Sequence, residues 1–301
     1  MDRHTHNAAG NLRSIVFMLL AVGFFALMDA VLKTLSARYP ALQIAALRGI
    51  TALPLVLLYI TWRGAWGTVL KVRWPLHLLR GVLGIAMLAM FTLGVRELPL
   101  SAAYTLFFIS PLLITALSVP VLKERVPPAH WWAIGIGFIG VLIALRPSGE
   151  DLTTGFVTLG GLATLGAALC YAITAVAGRL VSRTDSSESM VLSMMVLVAV
   201  GAGALAWPDW VAIQRSDAWL LLALAVTGFC GQLAITEAFR HGQASAVAPF
   251  EYSALAWGLG LDWLIWHTLP ESHTWLGAAI IIGSGLYLIR HEKDHAEAEH
   301  P

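Results

Sequence analysis

Residues 14–35 read SIVFMLLAVGFFALMDAVLKTL, and only Asp29 and Lys33 among them carry a charge. The hydrocarbon core of a bilayer is about 30 Å thick and takes about 20 apolar residues of helix to cross. This run is long enough to cross, and too long for the apolar part of a signal peptide. A polar stretch, Met1 to His6, precedes it, and no small-residue cleavage site follows. It therefore reads as a retained first membrane helix.

Nine more segments of that kind follow, at 42–62, 76–95, 99–121, 129–146, 156–178, 189–207, 218–239, 244–267 and 273–290. The connections between them are short and polar, leaving no space for a soluble domain. The fold expected is an all-α membrane protein of ten transmembrane helices. Only the tail, 291–301, reads as disordered, being polar, acidic and rich in histidine. Composition agrees: 58% of residues are hydrophobic and 12% charged, with a mean hydropathy of +0.74, whereas soluble domains carry roughly 25% charged residues. A net charge of +1 gives no footprint for nucleic acid, so the partners expected are the lipid bilayer and a small solute. The two cysteines, Cys170 and Cys230, form neither a disulfide framework nor a metal-ligand spacing.

Orientation follows from the cations. With the N-terminus inside, thirteen Lys and Arg face the cytoplasm, among them Arg63, Arg80, Lys123 and Arg183. Five (Lys33, Arg38, Arg96, Arg146 and Arg215) face the other side, and Arg48 lies within the second span. That excess places both termini in the cytoplasm. Trp62, Trp74, Trp132, Trp207 and Trp275 lie near span ends, where indoles favour the interface.

The two halves overlay. Gly84, Thr92, Arg96, Ser101 and Ala102 fall on Gly228, Thr236, Arg240, Ser245 and Ala246, and after a one-residue slip Trp132 and Gly140 fall on Trp275 and Gly283. Five helices are an odd number, so the second copy enters from the opposite side. The result is an inverted repeat, 14–146 and 156–290, of the kind from which alternating-access carriers are built.

Several stretches carry a resemblance. They are Ser110-Pro111, Lys123-Glu124-Arg125-Val126, Trp132, Gly140 and Arg146-Pro147 in the first half. In the second they are Gly242-Gln243-Ala244-Ser245, Ala248-Pro249-Phe250-Glu251-Tyr252, and Trp275 through Gly285. With these the chain resembles the EamA-type members of the drug/metabolite transporter superfamily over 14–290. The resemblance implies a carrier of small organic solutes, with relatives that export amino acids and other metabolites or take up nucleotide-like compounds. One departure stands out: Trp266-His267-Thr268-Leu269-Pro270 occupies the place in the second half that Lys123-Glu124-Arg125 holds in the first.

Ionisable and polar residues inside spans are the pointers to a binding site, because each is costly against lipid. Asp29 and Arg48 lie at similar depth, and either pair structurally or serve a substrate ion. Glu251 follows Ala248-Pro249-Phe250 deep in the ninth span, where it either meets substrate or makes a buried structural hydrogen bond. Asp262, eleven residues on and close to three full turns away, shares a face with Glu251. Glu237 reads as interfacial or paired with Arg240. Gln232 is mid-membrane and needs a partner. Tyr104 and Phe108 share a stripe with Pro111 and Thr115; Tyr171 and Tyr252 have hydroxyls to satisfy. The candidate substrate-binding set is Asp29, Tyr104, Phe108, Tyr171, Gln232, Glu251 and Tyr252. Pro111 and Pro249, each lacking a backbone donor inside a helix, are candidate hinges.

Gly135-Ile136-Gly137-Phe138-Ile139-Gly140 spells a dinucleotide fingerprint, but it lies inside a membrane helix rather than after a strand, so the glycines read as packing residues. Gly258 to Asp262 resembles a protease motif with one residue too many. No catalytic, metal-binding or cofactor motif is read, and an intramembrane enzyme is a remote alternative. The function expected is a secondary transporter of the cytoplasmic (inner) membrane, an exporter of amino acids or similar metabolites, acting as a monomer. The alternative is a multidrug or nucleotide-like metabolite carrier; the latter would want several buried cations, and Arg48 is the mid-span candidate.

Overall fold

The computed structural model describes residues 5–35, 38–69, 72–97, 105–145, 158–266 and 272–298. These residues form helices and short connections, with no strand among them. The chain runs through α1 (Thr5–Leu35), α2 (Ala41–Trp62), α3 (Trp74–Glu97), α4 (Thr105–Leu122), α5 (Pro128–Leu145), α6 (Leu159–Val181), α7 (Ser187–Ala206) and α8 (Ala218–His241). Then come α9, assembled from Ala244–Val247, Ala248–Tyr252 and Ser253–Trp266, and α10 (Ser272–Ala298). Among the described residues, eight helices are long and apolar enough to cross a membrane. The remaining two differ: α5 is a shorter apolar helix, and α9 is interrupted.

The helices are apolar on every face, so the inner and outer sides differ in side-chain size and polarity rather than in hydropathy. Val16, Leu20, Val82, Leu162 and Val200 are exposed on the outside. Inside, α6 buries Ala163, Ala167, Ala168 and Ala172. Small residues let backbones approach: a Cβ on Gly49 would sit 2.8 Å from the backbone nitrogen of Ala199, so α2 and α7 touch main chain to main chain. The fingerprint-like glycines divide in use. Gly140 packs on α10 and Gly137 on the Tyr252 ring, while Gly135 faces open space.

Helix termini show why the elements begin where they do. Thr158 Oγ1 accepts from the Gly161 N–H at 3.1 Å, and Ser186 Oγ accepts from the Ser189 N–H at 3.2 Å, each serving a backbone donor that has no partner within its helix. At the other end, α4 closes through a π turn over Ser118–Leu122 and stops at Lys123, whose φ of 56° is left-handed.

The most extensive pairings are α1 with α8, α3 with α6, α2 with α7 and α5 with α10. Exchanging the first five helices with the last five turns α1–α8 into α6–α3 and leaves α2–α7 and α5–α10 unchanged. Among the further pairings, α1–α9 and α6–α4 are likewise exchanged, as are α2–α8 and α7–α3.

Three expectations change. Pro111 and Pro249 do not sit within continuous helix. In α4 the turn at Phe108–Ile109 ends one helical stretch, and Pro111 lies in the first turn of the next. In α9, Pro249 lies in the first turn of a 3-10 stretch. At such positions a missing N–H removes no helical bond. The 3-10 stretch winds tighter than an α-helix, so the phase that placed Asp262 on the face of Glu251 is lost; the Asp262 side chain lies outside the described residues. Finally, α10 continues through Ala298, so 291–298 is helical rather than disordered. Ala296, Glu292, Glu297 and Lys293 are strong helix formers that extend an already nucleated helix.

Candidate substrate-binding site

Two polar groupings lie within the bundle. The first is on α6 and α9. Tyr171 sits among small residues of α6, and the tight turn of α9 presents Glu251, which is 8% exposed. The Tyr171 hydroxyl donates to Glu251 Oε1 at 3.0 Å. From Tyr171 an aromatic chain crosses into the first half: its ring lies 5.7 Å from that of Phe107, which lies 5.1 Å from Phe91. Such spacings suit favourable ring contacts. A carboxyl group, a phenol and two apolar rings together have the chemistry to meet an ammonium group with an apolar substituent.

Tyr252, the next residue, points elsewhere. Its ring contacts Phe108 at 6.0 Å and Phe138 at 6.5 Å, and among the described residues its buried hydroxyl has no hydrogen-bond partner. Thr115 on α4 likewise has a buried hydroxyl without a partner. Both are spare polar atoms beside the interrupted helices, and each is costly if nothing ever meets it.

The second grouping joins α1, α2 and α8. Arg48 lies over the Phe25 ring at 5.3 Å, and its Nη2 donates to Gln232 Oε1 at a long 3.5 Å. The guanidinium rests against Gly228, and Phe25 against Gly231, so these glycines make room for a cation and a ring between helices. Asp29, with an exposed side chain, attracts Arg48 electrostatically, but the hydrogen bond of the guanidinium goes to Gln232. Asp29 and Arg48 are thus coupled through charge without a hydrogen bond between them, and the amide of Gln232 takes the bond. Glu237 pairs with His241, Oε2 to Nδ1 at 3.2 Å, rather than with Arg240, which donates to Ser187 Oγ at 2.7 Å.

Of the sequence-derived candidates, Tyr171 and Glu251 meet directly, Gln232 meets Arg48, and Phe108 meets Tyr252. Tyr104 lies outside the described residues. Phe107, Phe91 and Phe25 were not among the candidates; an apolar ring in an apolar span has no sequence signal that separates it from packing.

The end of the bundle carrying the Lys123-Glu124-Arg125 loop is dense in hydrogen bonds. Glu124 Oε1 accepts from the Ala244 N–H at 3.0 Å and Oε2 from the Ser245 N–H at 3.3 Å, a negative charge at the start of α9. Arg183 Nη2 donates to the Leu122 carbonyl at 3.2 Å, and Asn11 Oδ1 accepts from the Gln243 N–H at 2.9 Å. Asp185 holds His77 Nε2 and the Arg73 N–H, both at 2.9 Å. A cavity of about 320 Å³ opens at this end, lined by Thr68, Ser182, Arg183, Thr184, Asp185, Ser186 and Arg240.

Comparison with known proteins places this geometry. The model of the EamA-like transporter family matches residues 12–146 and again 158–290. The chain is 29% identical to the pseudopaline exporter of Pseudomonas aeruginosa over 280 residues, covering 93% of this chain and 96% of the relative. It is 30% identical to the riboflavin transporter of Vibrio cholerae over 292 residues, 96% of each chain. Against the S-adenosylmethionine uptake transporter of Rickettsia prowazekii the identity is 26%, over 96% of each. One solved crystal structure superposes with a TM-score of 0.79 at 18% identity, covering 93% of this chain and 98% of the other, and shares the fold. With its helices, its two family matches and these relatives, the chain is a multi-pass membrane transporter of small molecules, not an enzyme, and belongs to the EamA-like transporter family.

Proposed function

We propose that the chain exports amino acids or closely related metabolites across the cytoplasmic membrane by alternating access. In this reading ten spans form two inverted five-helix halves, 14–146 and 156–290, with both termini in the cytoplasm and the monomer as the working unit. The exchangeable pattern of helix pairing supports the mirrored halves, as does the family model matching once in each. Export is supported by the pseudopaline exporter among the relatives.

The observation that carries the substrate class is the Tyr171–Glu251 pair at the interrupted turn of α9, beside Phe107 and Phe91. Glu251 takes the ammonium group, the rings take an apolar side chain, and Gln232, Asp29, Phe108 and Tyr252 line the rest of the path. The breaks near Phe108 in α4 and at Ala248–Tyr252 in α9, with Pro111 and Pro249 just after or within them, absorb the bend as one half rocks against the other. The Glu124 contacts and their neighbours seal the cytoplasmic end.

The test is flux of a labelled amino-acid panel in proteoliposomes, with and without a pH gradient. Saturable flux of one or more members is the expected result. Absence of flux for every member, from protein that remains folded, would remove the substrate claim.

A further inference from the structure

Arg80 is 6% exposed in the seam between α3 and α6, and its Nε and Nη1 are cut off from solvent with no hydrogen-bond partner among the described residues. Among the described residues no carboxylate pairs with it. Asp185, in the nearby loop, is taken by His77, the Arg73 N–H and Thr184, and His77 is held on its other side by Ser193. Glu188, on α7, is bonded to Arg63. An unpaired guanidinium inside a membrane bundle is unfavourable unless something else meets it.

Packing does not require the charge. One turn beyond Arg80 on α3 stands Gly84, which overlays on Gly228, so Arg80 overlays on Leu224. In the second half that position is a fully buried leucine within an apolar cluster with Leu35 and Met28. The same place in a mirrored bundle is filled by hydrocarbon.

Arg80 does not itself line the cavity at the Glu124 end, but it lies one helical turn behind two parts of the lining. Ser182 lines that cavity, and Gly178, one turn earlier on α6, is where the Arg80 guanidinium rests; a Cβ there would lie 3.6 Å from Nε. Asp185 also lines it and is bonded to His77, one turn before Arg80 on α3. Two walls of the cavity thus lead within a turn to the same side chain. Arg183 and Arg240 line it as well, so an anion entering meets positive charge. Its volume, about 320 Å³, is at the lower end of small-ligand pockets.

We infer that Arg80 is a binding residue for the carboxylate of the transported solute, captured at the cytoplasmic mouth before it passes to the chamber of Glu251. This rests on the export reading above for its direction, and on the geometry of Arg80 for the ligand. Arg48 is the lesser candidate, because Gln232 and the Phe25 ring already attend it.

The test uses the full chain in neutral detergent and in proteoliposomes, as wild type and as Arg80→Leu. Arg80→Leu in chloride is expected to melt higher than wild type, because an unpaired charge is replaced by the residue its mirror position holds. Acetate in place of chloride at matched ionic strength should raise the wild-type melting temperature by a few degrees and leave Arg80→Leu unmoved. Transport should show a KM raised about ten- to hundredfold for a carboxylate-bearing solute, with little change for its methyl ester. A lower melting temperature in Arg80→Leu together with loss of transport would mark a structural residue and overturn the inference. So would an unchanged KM, or a wild-type shift produced by phosphatidylglycerol and not by acetate. If wild type moves no amino acid yet acetate still stabilises it through Arg80, the export reading fails and this one stands. If amino acids move but acetate has no effect, the reverse holds.

Discussion

The Tyr171 hydroxyl donates to Glu251 Oε1 at 3.0 Å, tying α6 to the one turn of α9 that is wound as a 3-10 helix. A carboxylate in this setting is costly unless it is bonded or paired. One phenol serves one oxygen and adds no positive charge, so in the proposed site the carboxylate would favour a cationic group.

Glu251→Gln keeps the shape and removes that preference. Initial transport rates in proteoliposomes should fall at least about tenfold, in line with roughly 1.5–3 kcal/mol for a charge-assisted bond. The variant should still elute as a monodisperse peak. Tyr171→Phe should lose less. A Glu251→Gln protein that transports at the wild-type rate would remove Glu251 from the site.

Close backbone contact between α2 and α7 predicts a contrast between two glycines. Gly49→Ala forces a methyl to 2.8 Å from the Ala199 nitrogen and Met195 carbonyl, atoms that cannot step aside. It should destabilise by roughly 1–3 kcal/mol. Gly135→Ala meets nothing within 4 Å and should be near neutral. Thermal unfolding of the two side by side checks this.

Asp185, in the loop before α7, links stability to pH. Burial alone would raise its carboxyl, but hydrogen bonds from Thr184, the Arg73 N–H and His77, with the attraction of His77, bring it below the ordinary aspartate value. A depressed carboxyl contributes stability above its unfolded value, about 3.9, and loses it as pH falls through the folded value. Asp185→Asn should therefore melt lower than wild type at neutral pH, with the gap closing below about pH 4. A gap that widens on acidification would contradict the assignment.

Glu124 satisfies the first backbone donors of α9. Glu124→Ala should cost about 0.5–2 kcal/mol, the usual range for loss of a cap, read as a drop in melting temperature. An unchanged melting temperature would mean that water replaces it.

Hydropathy made the helices legible because lipid imposes a length and an apolar composition on each. Pro249 marked the interruption in α9. The break at Phe108–Ile109 was marked only by Pro111 just beyond it, which suits a kink within a helix as well as the start of a new one. The meeting of Tyr171 with Glu251 is a long-range contact: each residue is a candidate by its own polarity, but nothing local pairs them. Arg80 is the instructive case. Six residues beyond Trp74, it counts as an interfacial cation by position, and the fold instead encloses it between α3 and α6. Whether a cation near a span end reaches water or is buried depends on which helix covers it, and that is a property of packing alone.

The most direct measurement is the sidedness of both chain ends in the native membrane, by impermeant labelling of single cysteines placed before α1 and after α10 in a chain without Cys170 and Cys230. Two five-helix halves of opposite sense predict that neither end is labelled from outside and that both are labelled once the membrane is opened. Labelling of one end alone from outside would require an odd number of crossings and would contradict the inverted halves.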